Sequence, residues 1–128
     1  MDIVATICSR QKDPKKGLLP ATKRYTGEHI MQVHAIAQTL HLPFYVVSGR
    51  YGLCRADDDL PHYDYRLRPE HKQMLSELIA DQIEVQNITR LRLYVEQKLS
   101  WVPYISAVEI ACAGRAVFET QLIKNTAN

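Results

Sequence analysis

Y-V-V-S-G-R-Y-G-L-C-R-A-D-D-D-L-P-H-Y-D-Y-R-L, running from Tyr45 to Leu67, decides how the chain is read. With Phe44 it opens on an apolar, β-rich run that predicts a strand buried on both faces, and it breaks at Ser48-Gly49 into a loop dense in polar and aromatic groups. In open α/β sheets ligands sit at such breaks, because the carboxyl ends of parallel strands converge on a crevice that the following helices leave unfilled. Gly49 and Gly52 bracket Arg50-Tyr51, which lets the backbone turn tightly or approach a ligand closely.

Outward from that stretch the pattern alternates. Upstream, Asp2 to Ile7 reads as a strand, and Glu28 to Leu40 as an amphipathic helix through Ile30, Met31, Val33, Ile36, Ala37 and Leu40. Downstream, Pro69 starts a second helix with Met74, Leu75, Leu78, Ile79 and Ile83 as its apolar stripe. Asn87 and Thr89 turn the chain into a strand at Leu91 to Val95, and a third helix runs from Trp101 to about Ala113, stopped by Gly114. Arg115 to Ile123 alternates as a short strand would, with a terminal helix as the alternative. The order β-α-β-α-β-α predicts an α/β fold with three layers: a mainly parallel sheet of about four strands flanked by helices. Residues 1–124 are expected to form one domain, and Asn125 to Asn128 a frayed tail.

Composition narrows the function classes. A net charge of +2 permits contact with phosphates without demanding it, but six cations fall between Arg10 and Arg24, in a loop interrupted by Pro14, Gly17 and Pro20. Loops of this length inside compact domains are usually functional or disordered. Cys8, Cys54 and Cys112 are far apart and form no C-x-x-C pair, which argues for a reducing compartment and against a disulfide scaffold. With no apolar run approaching a membrane span, a cytoplasmic protein with no membrane partner is expected. No dinucleotide, phosphate-loop, zinc-protease or serine-esterase motif occurs, so no cofactor and no metal is expected. His29, His34 and His41 do not share a face at i, i+4 spacing and read as solvent-facing helix residues. Asp57, Asp58 and Asp59 read as a solvated acidic turn.

The candidate chemistry therefore comes from position. Cys8, Ser9 and Lys12 leave the first strand together. A thiol or amine at a strand's carboxyl end among cations can have its pKa lowered and become a nucleophile, so Lys12 and Cys8 are the catalytic candidates. Tyr25-Thr26-Gly27 precedes the first helix, whose free N–H groups attract anions, and Thr26 is placed to cap it. With Ser48, Gly49, Arg50, Tyr51 and Gly52, the set suits a planar polar ligand of nucleobase or nucleotide type. Asp64, between Tyr63 and Tyr65, is the candidate base, and Tyr63 helps shape the pocket. A nucleic acid held through the Arg10 to Arg24 loop is the alternative partner.

The set Cys8-Ser9, Lys12, Tyr25-Thr26-Gly27, Ser48-Gly49-Arg50-Tyr51-Gly52-Leu53, Tyr63 and Arg66-Leu67 resembles the YaaA peroxide-stress proteins and the small domains related to them. That resemblance implies a compact α/β fold with nucleobase-related or nucleic-acid roles. A second similarity is to the core domain of archaeosine synthase, which acts on a deazapurine nitrile in tRNA and carries a C-x-x-x-K motif. Cys8 and Lys12 match its spacing, and the likeness implies the lysine as nucleophile; the Pro-Tyr expected next is Asp13-Pro14 here. The reading that follows is an enzyme of the transferase, glycosylase or hydrolase kind acting on a nucleobase or modified nucleoside, with a non-catalytic binder or nucleotide-sequestering protein as the alternative.

Overall fold

The computed structural model describes residues 1–123. The tail expected at Asn125 to Asn128 lies outside the described residues. Strand β1 (Asp2–Ile7) leads into a loop that contains the short strand β2 (Leu19–Pro20) and the single-turn helix α1 (Ala21–Arg24). Helix α2 (Glu28–Leu40), strands β3 (Phe44–Ser48), β4 (Gly52–Arg55) and β5 (Asp59–Leu60), and helix α3 (Lys72–Val85) follow. Strand β6 (Arg90–Val95), helix α4 (Val102–Cys112) and strand β7 (Val117–Leu122) complete the fold. A five-stranded sheet in the order β4-β3-β1-β6-β7 forms the middle layer, with every neighbour parallel except the antiparallel β3–β4 pair. The expected three-layer α/β architecture is present; the extra strand is β4.

Alternation along β1 assigns the layers. Ile3, Ala5 and Ile7 join the core beneath α3 and α4, together with Leu75, Ile79, Ile83, Ala107, Val108 and Ala111. Val4 faces the opposite way, onto α2, beside Val33, Ala37, Phe44 and Val46. All five side chains of β3 are buried, as expected of a strand covered on both faces. Helices α2 and α3 each present a narrower stripe than their apolar spacing implied. In α2, Ile30, Val33 and Ala37 are buried while Met31 and Leu40 are exposed; in α3, Met74 and Leu78 are exposed. Arg115 to Ile123 resolves in favour of a strand, β7, paired in register with β6 from Arg90↔Val117 to Val95↔Leu122.

The stretch after Ser48 is not the open loop expected but a hairpin. Gly49, Arg50 and Tyr51 form its turn, Ser48 pairs with Gly52, and Gly52 takes φ +70, a conformation that glycine reaches without a Cβ penalty. No helix among the described residues is long and apolar enough to cross a membrane.

Candidate functional site

The chain reverses its direction of travel across the sheet between β1 and β6. From β1 it passes through α2 to β3 on one side; from β6 it passes through α4 to β7 on the other. The loops leaving these two strands part at this point, and the cleft between them is where ligands bind in open α/β sheets. A cavity of about 830 Å³ occupies the cleft. The β1 side contributes Cys8, Ser9, Arg10 and Lys12, then Gly27 and His29 at the start of α2. The β6 side contributes Glu96, Lys98, Ser100 and Trp101, with Tyr104 from α4, and Asp64, Tyr65, Arg66 and Leu67 close it.

Cys8 is half-buried, and the atoms crowding its sulfur raise the thiol pKa above its ordinary value. The Gly49 backbone N–H, the Lys12 charge and the Tyr104 hydroxyl oppose that shift without reversing it. The expectation that neighbouring cations lower the Cys8 pKa is thus not met: desolvation outweighs them. The same three groups are the ones that would stabilise a thiolate once it formed. Glycine at position 49 leaves room for this approach: a Cβ there would lie 3.2 Å from the Tyr104 ring and hydroxyl, close enough that Tyr104 would have to shift.

Ser9 is buried, and its hydroxyl hydrogen is already committed. Its hydroxyl donates to the Gln11 carbonyl at 2.6 Å and accepts the Gly27 N–H at 3.1 Å, tying the loop to the first turn of α2. The N-cap of α2 is Gly27, with no side-chain cap, so Thr26 does not cap the helix and stands exposed beside it. A Cβ on Gly27 would fall 2.6 Å from that of Ser9 and 2.9 Å from His29 Cε1, so the close packing of loop on helix depends on glycine at this position.

His29 corrects the expectation of solvent-facing helix histidines. It is buried, 4.9 Å from the Trp101 ring in an edge-on arrangement. Its Nε2 lies 2.7 Å from the Ile7 carbonyl, a pure acceptor, so Nε2 carries the hydrogen and Nδ1 the lone pair. Burial lowers its pKa, which keeps the ring neutral. His34 is also not free, since it stacks on Phe44 at 4.8 Å; of these three histidines only His41 is exposed.

The remaining candidates separate into two groups. Asp64 is exposed at the cavity edge. Tyr25, Ser48, Tyr51 and Tyr63 lie behind the wall rather than in it and form one hydrogen-bonded, edge-to-face cluster under Lys12. Arg50 is exposed, its guanidinium 5.7 Å from the Tyr51 ring, so Arg10 and Arg66 are the guanidinium groups that line the cavity in its place.

The cationic loop also divides. Arg24 is fully buried and donates to four backbone carbonyls, those of Asp13, Lys15, Gly17 and Leu60. It is therefore the anchor of the loop and not a phosphate contact. Arg10, Lys15, Lys16 and Lys23 remain exposed.

Sequence reasoning missed His29, Trp101, Tyr104, Glu96 and Lys98. Four of these five belong to the β6–α4 side, where the only available signal was position after a strand end. No family model matches the chain, and neither a curated protein nor a solved structure matches it.

Proposed function

We propose that the cavity between the carboxyl ends of β1 and β6 binds a small ligand of nucleobase, nucleoside or nucleotide type, and that the protein modifies it with Cys8 as nucleophile. The observation that carries this reading is the placement of Cys8 at the chain reversal, beside the Gly49 N–H, the Tyr104 hydroxyl and the Lys12 charge. His29, Trp101, Tyr65 and Tyr104 offer aromatic walls for a planar ring. Arg10, Lys12, Arg66 and Lys98 offer cations for an attached anion, although Lys98 is already paired with Glu96 at 2.7 Å. The resemblance to YaaA proteins at Cys8-Ser9, Lys12 and Ser48 to Leu53 supports the same ligand class.

The step is addition of the thiol across a C=N or C=O bond of the ligand. The sulfur–carbon bond forms as the π bond breaks, and the thiol proton passes to the ligand heteroatom. Lys12 stabilises the negative charge that develops on that heteroatom before the proton arrives.

Mass spectrometry of material released on denaturing freshly purified protein, with the intact mass taken in parallel, tests the reading. A purine- or pyrimidine-type species, free or as an adduct on Cys8, is expected. Lys12→Ala should abolish the adduct while circular dichroism stays unchanged. An empty cavity combined with no response to nucleobases, nucleosides or nucleotides in calorimetry would sink the proposal.

The exposure of Lys15, Lys16 and Lys23 favours a second reading, in which the loop grips a nucleic acid backbone. Its mark would be affinity that falls steeply with salt, by a slope near −0.9 for each phosphate neutralised on duplex DNA. A ligand enclosed in the cavity responds far less.

A further inference from the structure

The tyrosine cluster lies behind the cavity wall and does not line it, yet it is closely organised. Ser48 Oγ accepts the N–H groups of Arg50 at 3.1 Å and Tyr51 at 3.0 Å, which occupy both its lone pairs. Its own hydrogen therefore goes to Tyr63 Oη at 2.8 Å, and Tyr63 in turn donates to Tyr25 Oη. Tyr25 and Tyr51 each meet Tyr63 edge-on, at 6.3 and 5.3 Å between ring centroids. Tyr63 is thus fixed in rotation and position from three sides. Burial, joined by the nearby Cys8, raises the pKa of both Tyr25 and Tyr63, so these rings are neutral phenols with electron-rich faces.

Lys12 Nζ stands over those faces, 4.7 Å from the Tyr63 centroid and 5.9 Å from that of Tyr25. Its backbone is held by a bridge to Tyr25, and the flanking Thr26 N–H donates to the Gln11 carbonyl at 3.1 Å. From the other side Lys12 reaches the cavity wall next to Cys8.

We infer that Tyr63, seconded by Tyr25, is a positioning residue for Lys12, whose ammonium the ring faces hold at the cavity wall as a fixed cation. Lys12 then acts on the ligand as a charge and not as an attacking amine. The ligand it serves presents an anionic group, or a heteroatom that gains negative charge, at that point of the wall. The inference rests on the cavity being the ligand site for its functional meaning. The tyrosine grip on Lys12, however, is a property of the free protein and can be tested without a ligand.

A ring face attracts an ammonium and, by holding it against the wall, limits its access to acylating agents. The test is the acetylation rate of Lys12 by an N-hydroxysuccinimide ester, measured by peptide mass spectrometry and divided by the rates of the exposed Lys15 and Lys16 in the same loop. Tyr63→Leu removes the face and is expected to raise the ratio on the order of 5-fold. Tyr63→Phe keeps the face and should stay within about twofold of the native ratio. Pentafluorophenylalanine at position 63 keeps the ring shape while reversing its quadrupole, and should behave like Tyr63→Leu. It also decides the matter if the leucine variant does not fold. Equal ratios for the phenylalanine and pentafluorophenylalanine variants would overturn the inference. Because no ligand takes part, that failure is distinct from an empty cavity in the denaturation experiment.

Discussion

At the scale of single residues, Arg24 shows how a side chain can be structural for reasons its sequence context hides. Among six cations in one loop it reads as one more solvated charge, but its guanidinium is enclosed by carbonyl oxygens of the loop and of Leu60 on β5. A planar fork with five N–H donors can satisfy such a ring of acceptors; a lysine ammonium with three cannot. Arg24→Met leaves those carbonyls without their donor, and each one shut off from water, that of Leu60 first, costs about 1–3 kcal/mol. Urea unfolding should show a loss of at least about 3 kcal/mol for Arg24→Met and a smaller loss for Arg24→Lys. Trypsin should cut faster after Lys15 and Lys16 in both variants. A variant within 1 kcal/mol of the native protein would mean that the loop closes without its anchor.

At the scale of elements, the hairpin β3–β4 explains both the clearest success and the clearest failure of reading the sequence. Phe44 to Val47 was legible as a buried strand because the run is hydrophobic throughout, Tyr45 differing only by its terminal hydroxyl, and a strand covered on two faces needs no alternation. Gly52 to Arg55 was not legible, since four residues are too few to show a period. The usable signal was a three-residue turn followed by a glycine, Gly52. Missing β4 also hid the role of Gln82. From α3 its Oε1 accepts the Leu53 N–H at 2.8 Å, while its Nε2 donates to the carbonyls of Tyr51 at 3.1 Å and Leu53 at 3.3 Å. The side-chain amide thus covers the outer edge of the sheet as a further strand would, which blunts a surface otherwise open to pairing with other chains. Gln82→Leu strips that cover while keeping the bulk. It is expected to lower stability by about 2 kcal/mol and to speed hydrogen exchange at the Leu53 amide relative to Val46 on β3. Exchange at Leu53 as slow as in the native protein would show that α3 shields the edge by packing alone.

At the scale of the whole molecule, the sequence reading put its candidate residues at strand ends, and the cavity lies between two such ends, those of β1 and β6. The expectation paired the tips of the first two strands, because only their motifs stood out. The chain reversal instead sets the cavity between β1 and β6, whose order in the sheet no periodicity reveals. About a third of the lining therefore comes from a segment that carried no motif. The same compact packing creates a pH response that belongs to the molecule as a whole. Burial raises the pKa of Cys8 and Tyr45, of Cys112 to about 11, of Cys54 and Tyr104 to about 12, and also of Tyr25 and Tyr63. In the unfolded chain these groups return to about 9.0 for thiols and 10.0 for phenols. Above pH 9 the unfolded state therefore releases protons that the native state keeps, and stability falls as pH rises. Each such proton contributes a slope of up to about 1.4 kcal/mol per pH unit, and all seven groups act in the same direction. His29 works from the other end: its lowered pKa means that the unfolded chain binds a proton near 6.5 that the native ring refuses, so stability falls as pH drops below that value. Urea unfolding across pH 5 to 10.5 should show a plateau between about 7 and 8.5, with a shallow acid limb and a much steeper alkaline one. His29→Gln should flatten the acid limb, and Cys54→Ala should reduce the alkaline slope. Native stability at pH 10 equal to that at pH 8 would mean that the thiols and phenols are not enclosed as the packing shows.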